Sequence, residues 1–137
     1  MPSTKIDLNC NRIVRIRDLD EIDEILFQNN RIHQKTFLAI FIELKWANDQ
    51  FLSALEPIAN RHGISHRTLE TVRAKMRRMG LIDHISRFNR KHGYREGWTF
   101  SNRFATATHR LTTLLDDLKN QREPRRERKD RDLLKYV

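Results

Sequence analysis

LEPIANRHGISHRTLETVRAKMRRMGL, residues 55–81, is the stretch whose reading decides the fold. Ile58 and Ala59 begin a short helix, Gly63 ends it, and Ile64-Ser65 turn the chain into a second helix reaching Met79. Ala59 is small enough to let the two helices approach closely, and Gly63 sits where the turn needs positive φ. Ile64 then plugs the gap between the helices, and Leu69 and Val72 form the inner face of the second one. This spacing predicts a helix-turn-helix. The outward positions of the second helix are His66, Arg67, Thr68, Glu70, Thr71, Arg73, Lys75, Arg77 and Arg78. Those side chains suit phosphates and base edges in a major groove.

Charge concentrates on the same region. The 137-residue chain has a formal net charge of +9, 33% charged and 38% hydrophobic residues, and a length that suits one domain with a core. Residues 60–95 hold 10 basic side chains against 2 acidic ones, whereas residues 1–59 hold 7 against 9. A polyanionic partner explains such a concentration; a solvated cationic face is the plain alternative. No apolar run approaches the ~18 residues of a membrane span, no signal peptide is visible, and the single Cys10 cannot form an internal disulfide. The expected location is cytoplasmic, with no membrane association.

Outward from the central stretch, Ile13, Val14 and Ile16 alternate with arginines and predict a short strand or extended segment. Asp18 and Glu21 read as a capping box for a helix that carries Leu19, Ile22, Ile25 and Leu26 and stops near Asn29-Asn30. His33 to Trp46 is apolar almost all round and predicts the buried central helix, with Trp46 in the core or at its rim. Phe51-Leu52 suggests a short extended piece, and Ser53 with Glu56 a second capping box. Gly80 closes the helix after Met79. Leu81–Phe88 and Trp98–Ser101 then read as two strands joined by residues 89–96, a hairpin with a basic tip, and Trp98 and Phe100 share its core face. Ser101 or Asn102 caps a long last helix whose apolar stripe is Phe104, Ala107, Thr108, Leu111, Leu114, Leu115 and Leu118. Residues 121–132 carry no apolar periodicity and predict a frayed helix or disordered tail.

Catalysis is not expected. The six histidines are scattered, and His62 and His66 are separated by the Gly63 turn, so they do not share a helix face as metal ligands. The acidic group Asp18, Asp20, Glu21, Asp23 and Glu24 lacks the glycine and spacing of a calcium loop and suits a helix N-terminus. No phosphate-binding glycine loop, nucleophile elbow or CxxC occurs, and no cofactor or metal is implied.

In order, the elements are a helix, the helix-turn-helix, the phrase RRMGLI (Arg77 to Ile82), the hairpin and a terminal helix. This resembles the winged-helix transcription regulators, most nearly the MarR-type and related dimeric repressors, over roughly residues 33–120 and most specifically Ile58 to Ile82. The fold implied is mainly α with a small β-hairpin wing: a winged helix-turn-helix with additional N- and C-terminal helices. It divides as an N-terminal extension (1–30), the winged domain (31–120) and a charged tail (121–137).

The resemblance implies sequence-specific binding of double-stranded DNA by a homodimer joined through its first and last helices. Ser65, His66, Arg67, Thr68, Thr71 and Arg73 would face bases and nearby phosphates. Lys75, Arg77 and Arg78 would hold the backbone, and Arg87, Arg90, Lys91 and Arg95 would serve the wing. The family often holds a small aromatic effector, for which Phe37, Phe41, Trp46 and Phe51 are the candidate lining; no ligand is specified. Here the wing tip is Arg90-Lys91-His92-Gly93 where MarR-type wings carry an aspartate–arginine pair. The alternatives are an RNA-binding or replication-associated winged helix and a protein-interaction winged helix.

Overall fold

The computed structural model describes residues 6, 8–90 and 93–136, the side chains of Arg87 and Asn89 excepted. The chain is mainly helical with one small antiparallel sheet, and it divides into two compact units, Met1–Arg103 and Phe104–Val137. No helix of the described residues is long and apolar enough to cross a membrane.

The first unit opens with α1 (Cys10–Ile13) and α2 (Leu19–Leu26). The strand expected around Ile13 is instead the single turn α1, because the Asn9 side chain accepts the Arg12 N–H and winds the chain locally. Asp18 stands at the start of α2 without a side-chain cap bond, so the predicted capping box does not form. The helix ends at Leu26, and Asn29 turns the chain at φ +58°. Then comes α3 (Arg31–Trp46), whose first turn is capped by Asn30 accepting the His33 N–H at 3.1 Å. Its inner face (Thr36, Phe37, Ala39, Ile40 and Leu44) is buried, but Ile42 is 45% exposed and Trp46 77% exposed. Trp46 is therefore not a core aromatic.

The short strand β1 (Phe51–Leu52) leads into α4 (Glu56–His62) and α5 (His66–Met79). Leu55, not Ser53, starts α4. The Glu56 carboxylate is held by its own backbone N–H and then by Arg73, leaving Ser53 outside the helix. Both α4 and α5 end on a glycine in the left-handed region, Gly63 at φ +64° and Gly80 at φ +86°. In each, the next residue (Ile64, Leu81) donates its N–H across the end of the helix, to Ala59 and Met76 respectively, at 2.9 Å. Ser65 caps α5 by accepting the Thr68 N–H. Leu69, Val72 and Met76 recur at helical spacing and are fully buried with Phe37, Ile40, Leu44 and Ile58.

Strands β2 (Ile82–Asn89) and β3 (Gly93–Phe100) pair antiparallel from Ile82↔Phe100 to Asn89↔Gly93, and β1 adds to the other edge of β3. The hairpin is longer than expected: Asn89, read from sequence as part of the connection, belongs to β2, and Gly93 to Glu96 belong to β3. Trp98 joins the core and Phe100 packs 5.0 Å from the Phe41 ring, as their shared face predicts.

The second unit comprises α6, which begins at Arg103 and runs to Lys119, and α7 (Pro124–Leu133). Of the two readings of the charged tail, frayed helix or disorder, the structure has a helix. Pro124 is pre-shaped for the first turn, the Arg122 N–H is accepted by Glu127, and Arg122 pairs with Asp130 at 2.9 Å.

Two glycines separate strain from crowding. A Cβ on Gly97 would lie 2.4 Å from the Leu52 carbonyl oxygen, whereas a Cβ on Gly63 meets nothing within 4 Å. Gly63→Ala should cost about 1–2 kcal/mol through its left-handed φ alone. Gly97→Ala should cost at least as much, about 1–3 kcal/mol, by forcing β1 off β3. Urea unfolding gives both values, and loss of amide protection at Leu52 and Thr99 in Gly97→Ala only would identify the mechanism.

Candidate nucleic-acid interface

The rotation of α5 decides which of its side chains a ligand can meet. With Leu69, Val72 and Met76 turned inward, a 3.6-residue period puts Arg67, Thr71 and Arg78 on the opposite side. Ser65, His66, Arg67, Thr71, Arg77 and Arg78 are exposed, and Thr68 and Arg73 are half-buried. Arg67 makes no side-chain hydrogen bond or ion pair among the described residues, and its carbonyl accepts the Thr71 hydroxyl at 2.9 Å.

The two flanks of α5 are occupied differently. On one, the Lys75 Nζ donates to the Leu26 carbonyl at 2.5 Å and lies 4.3 Å from the Phe27 ring centre. Burial holds its pKa below the usual lysine value. The backbone-binding role expected of Lys75 is not what this environment provides: the ammonium serves the end of α2. Burial, then the Lys75 charge, also lowers the pKa of His33.

On the other flank the guanidinium groups of Arg73 and Arg77 lie 5.1 and 5.9 Å from the Trp98 ring centre. Arg73 also pairs with Glu56 at 3.1 Å. His84 stands against the same indole, 4.9 Å between ring centres. These residues, with Arg103, wall an open groove of about 860 Å³ between α5 and the sheet. Arg103 escaped the sequence reading. Its guanidinium binds the Asp83 carboxylate at 2.5 Å and donates to the Arg77 carbonyl at 2.8 Å. The Arg103 hydrogen bond holds the Asp83 carboxyl below its usual range, and the pair raises Arg103 in turn.

On the hairpin, Arg90 is exposed, whereas Arg95 pairs with Asp49 at 3.3 Å and covers the Phe51 ring at 4.3 Å. Lys91 and the side chain of Arg87 lie outside the described residues. The aromatics proposed for an effector are divided. Phe37 is in the core and touches Phe41, Phe51 lies under Arg95, and Trp46 faces solvent beside Lys45. Asp18, Asp20 and Glu21 gather at the exposed start of α2, each with a carboxylate oxygen within 4.8 Å of the others. Asp23, expected among them, turns inward at 5% exposure, and burial raises its pKa.

Because the folded pKa of Asp83 is depressed, its contribution is present above the ordinary aspartate value and is lost as pH falls through the depressed one. In Arg103→Gln, Asp83 should titrate nearer its ordinary value, so the variant should be less stable than the wild type at pH 6 and the difference should shrink as pH falls through the acid range. A set of urea midpoints between pH 6 and about pH 2 checks this; a difference that stays constant with pH would remove the coupling. Comparison with protein-family models, curated proteins and solved structures finds no significant match.

Proposed function

We propose that this chain is a dimeric winged-helix protein that binds double-stranded DNA sequence-specifically as a transcription regulator. In this reading α5 is the recognition helix and the β2–β3 hairpin the wing. The observation that carries it is the outer row of α5: a buried seam fixes the helix's rotation, and Arg67, with no protein partner among the described residues, projects from the opposite side next to Thr71 and Arg78. A guanidinium held that way suits bidentate bonding to guanine O6 and N7. The exposed Arg90 at the hairpin end and the Arg77 edge of the groove suit flanking phosphates.

The dimer rests on α6. Phe104, Ala107, Leu111, Leu114 and Leu118 alternate at spacings of three and four, the a/d pattern of a paired helix seam, yet Leu111 is 57% and Leu118 42% exposed in the single chain. Two-fold pairing would place two half-sites about one helical turn apart.

Selection from a random duplex pool over a salt series tests the reading, and an enriched inverted repeat with a steep salt slope is the expected result. Arg67→Ala should lower discrimination between selected and random duplex by about 1–3 kcal/mol, whereas Arg90→Ala should weaken both alike and flatten the slope by about one unit. Lys75→Met should leave the slope unchanged and lower stability instead. Equal loss on both duplexes from Arg67→Ala would take that residue out of base reading, and no binding at ~0.15 M salt would favour a protein partner. In sedimentation, Leu111→Glu should convert a dimer to a monomer that keeps its helical circular dichroism; an unaltered mass would exclude α6 as the dimer seam.

A further inference from the structure

Along β2 and β3, cross-strand partners of one sheet face run outward as Ile82 and Phe100, His84 and Trp98, Ser86 and Glu96, Phe88 and Tyr94. The first pair packs in the core, and the second meets the Arg73 and Arg77 guanidinium groups of α5. The last pair lies four residues further out, about 13 Å along the strands. There Phe88 is 77% and Tyr94 66% exposed. Directly opposed side chains on neighbouring strands are close enough to stack. Among the described residues, however, these two rings make no contact with each other or with any other ring or cation. Their faces are open. They sit beside exposed Arg90, and the same sheet face leads back to the cations of α5.

Two open aromatic faces within a net positive stretch are the elements of a base-stacking platform: cations attract the sugar–phosphate chain, and rings take bases of any identity. A fully paired duplex offers no base face except at a step that is opened or wedged. We infer that Phe88 and Tyr94 form a stacking site for a DNA base that has left the helix, at a bulge, a strand end or a kinked step. The inference rests on the DNA-binding reading and adds to it: the wing would not only touch the backbone but hold an unstacked base, so that the protein favours distorted over regular duplex.

The test uses the full chain and a short duplex carrying one unpaired 2-aminopurine, against the same duplex fully paired. The wild type should bind the bulged duplex about 5- to 150-fold more tightly, the range for stacking one base, and quench the 2-aminopurine fluorescence. Phe88→Ala with Tyr94→Ala should lose the preference and the quenching while keeping its affinity for paired duplex and its unfolding midpoint. Phe88→Tyr with Tyr94→Phe should retain both. Normal binding of paired duplex without preference or quenching would overturn the stacking site and leave the DNA reading standing. The same holds if the double alanine variant still quenches. Failure to bind either duplex would overturn the DNA reading and the inference together, and tighter binding of single-stranded RNA of the same sequence would overturn DNA as the occupant.

Discussion

Every helix leaves its last carbonyls without partners inside the helix, and in the first unit three helices take those partners from cations elsewhere in the chain. Lys75 of α5 donates to Leu26 at the end of α2, with Gln34 of α3 donating to Phe27 beside it. Lys35 of α3 donates to His62 at the end of α4, and Arg103 donates to Arg77 in the last turn of α5. Each cation meets the negative end of a helix dipole as well as a terminal carbonyl oxygen, of which that of Arg77 also accepts the Gly80 N–H. The separations in sequence, 49, 27 and 26 residues, make these bonds tertiary ties. They dock α2 on α5 and α4 on α3, and they fasten the return of the sheet to the end of α5. Apolar burial alone is not directional; these bonds add the direction in which the helices abut.

Part of the cationic surplus of residues 60–95 is therefore taken up inside the fold, and net charge overstates what the surface offers. Lys75 is committed: releasing it would leave the Leu26 carbonyl unpaired in a partly buried place, at a cost of about 1–3 kcal/mol. Arg73 and Arg61 are only loosely committed. Their ion pairs with Glu56 and Glu43 are partly exposed, and such pairs contribute about 0–1 kcal/mol, less than a charge-assisted bond to phosphate. These arginines can exchange one anion for another. Arg67 needs no exchange, which sets it apart from its neighbours on the helix.

What could be read from the sequence was whatever is decided within a few residues. Gly63, Gly80 and the Leu69–Val72 spacing act inside one or two helical turns, and all stand where they were expected. The misses are cases in which a distant or merely polar interaction decides. Lys75 looked like any outward lysine because nothing nearby marks the Leu26 carbonyl as its partner. Asp23 looked like part of an acidic N-terminus, but the helix phase that buries Leu26 buries it too. The outer half of the hairpin was read as loop because Arg95 and Glu96 bear no mark of a core, although backbone pairing with β2 needs none. For α7 the sequence left frayed helix and disorder open: it carries no apolar stripe, and its local polar pairs also occur in disordered charged tails. Arg103 acts through three partners at once, and none of them adjoins it in sequence.

The outer hairpin also shows how a surface two strands wide is held in place. A two-stranded ribbon standing clear of a core is marginally stable in water. This one is braced from its other face: Arg95, on the strand between Tyr94 and Glu96, reaches back to Asp49 and lies over Phe51 at the start of β1. Close to the body of the unit, Gly97 lets the β1 backbone approach to a distance that no Cβ would allow. The brace acts on the face opposite Phe88 and Tyr94, so it stiffens the ribbon without covering the rings. The ribbon is thereby fastened to β1 by contacts within the chain itself. Arg95, itself counted at first among the ligand-binding cations, is thus occupied in holding the ribbon to β1 and the segment before it, and it leaves the two rings open on the other face.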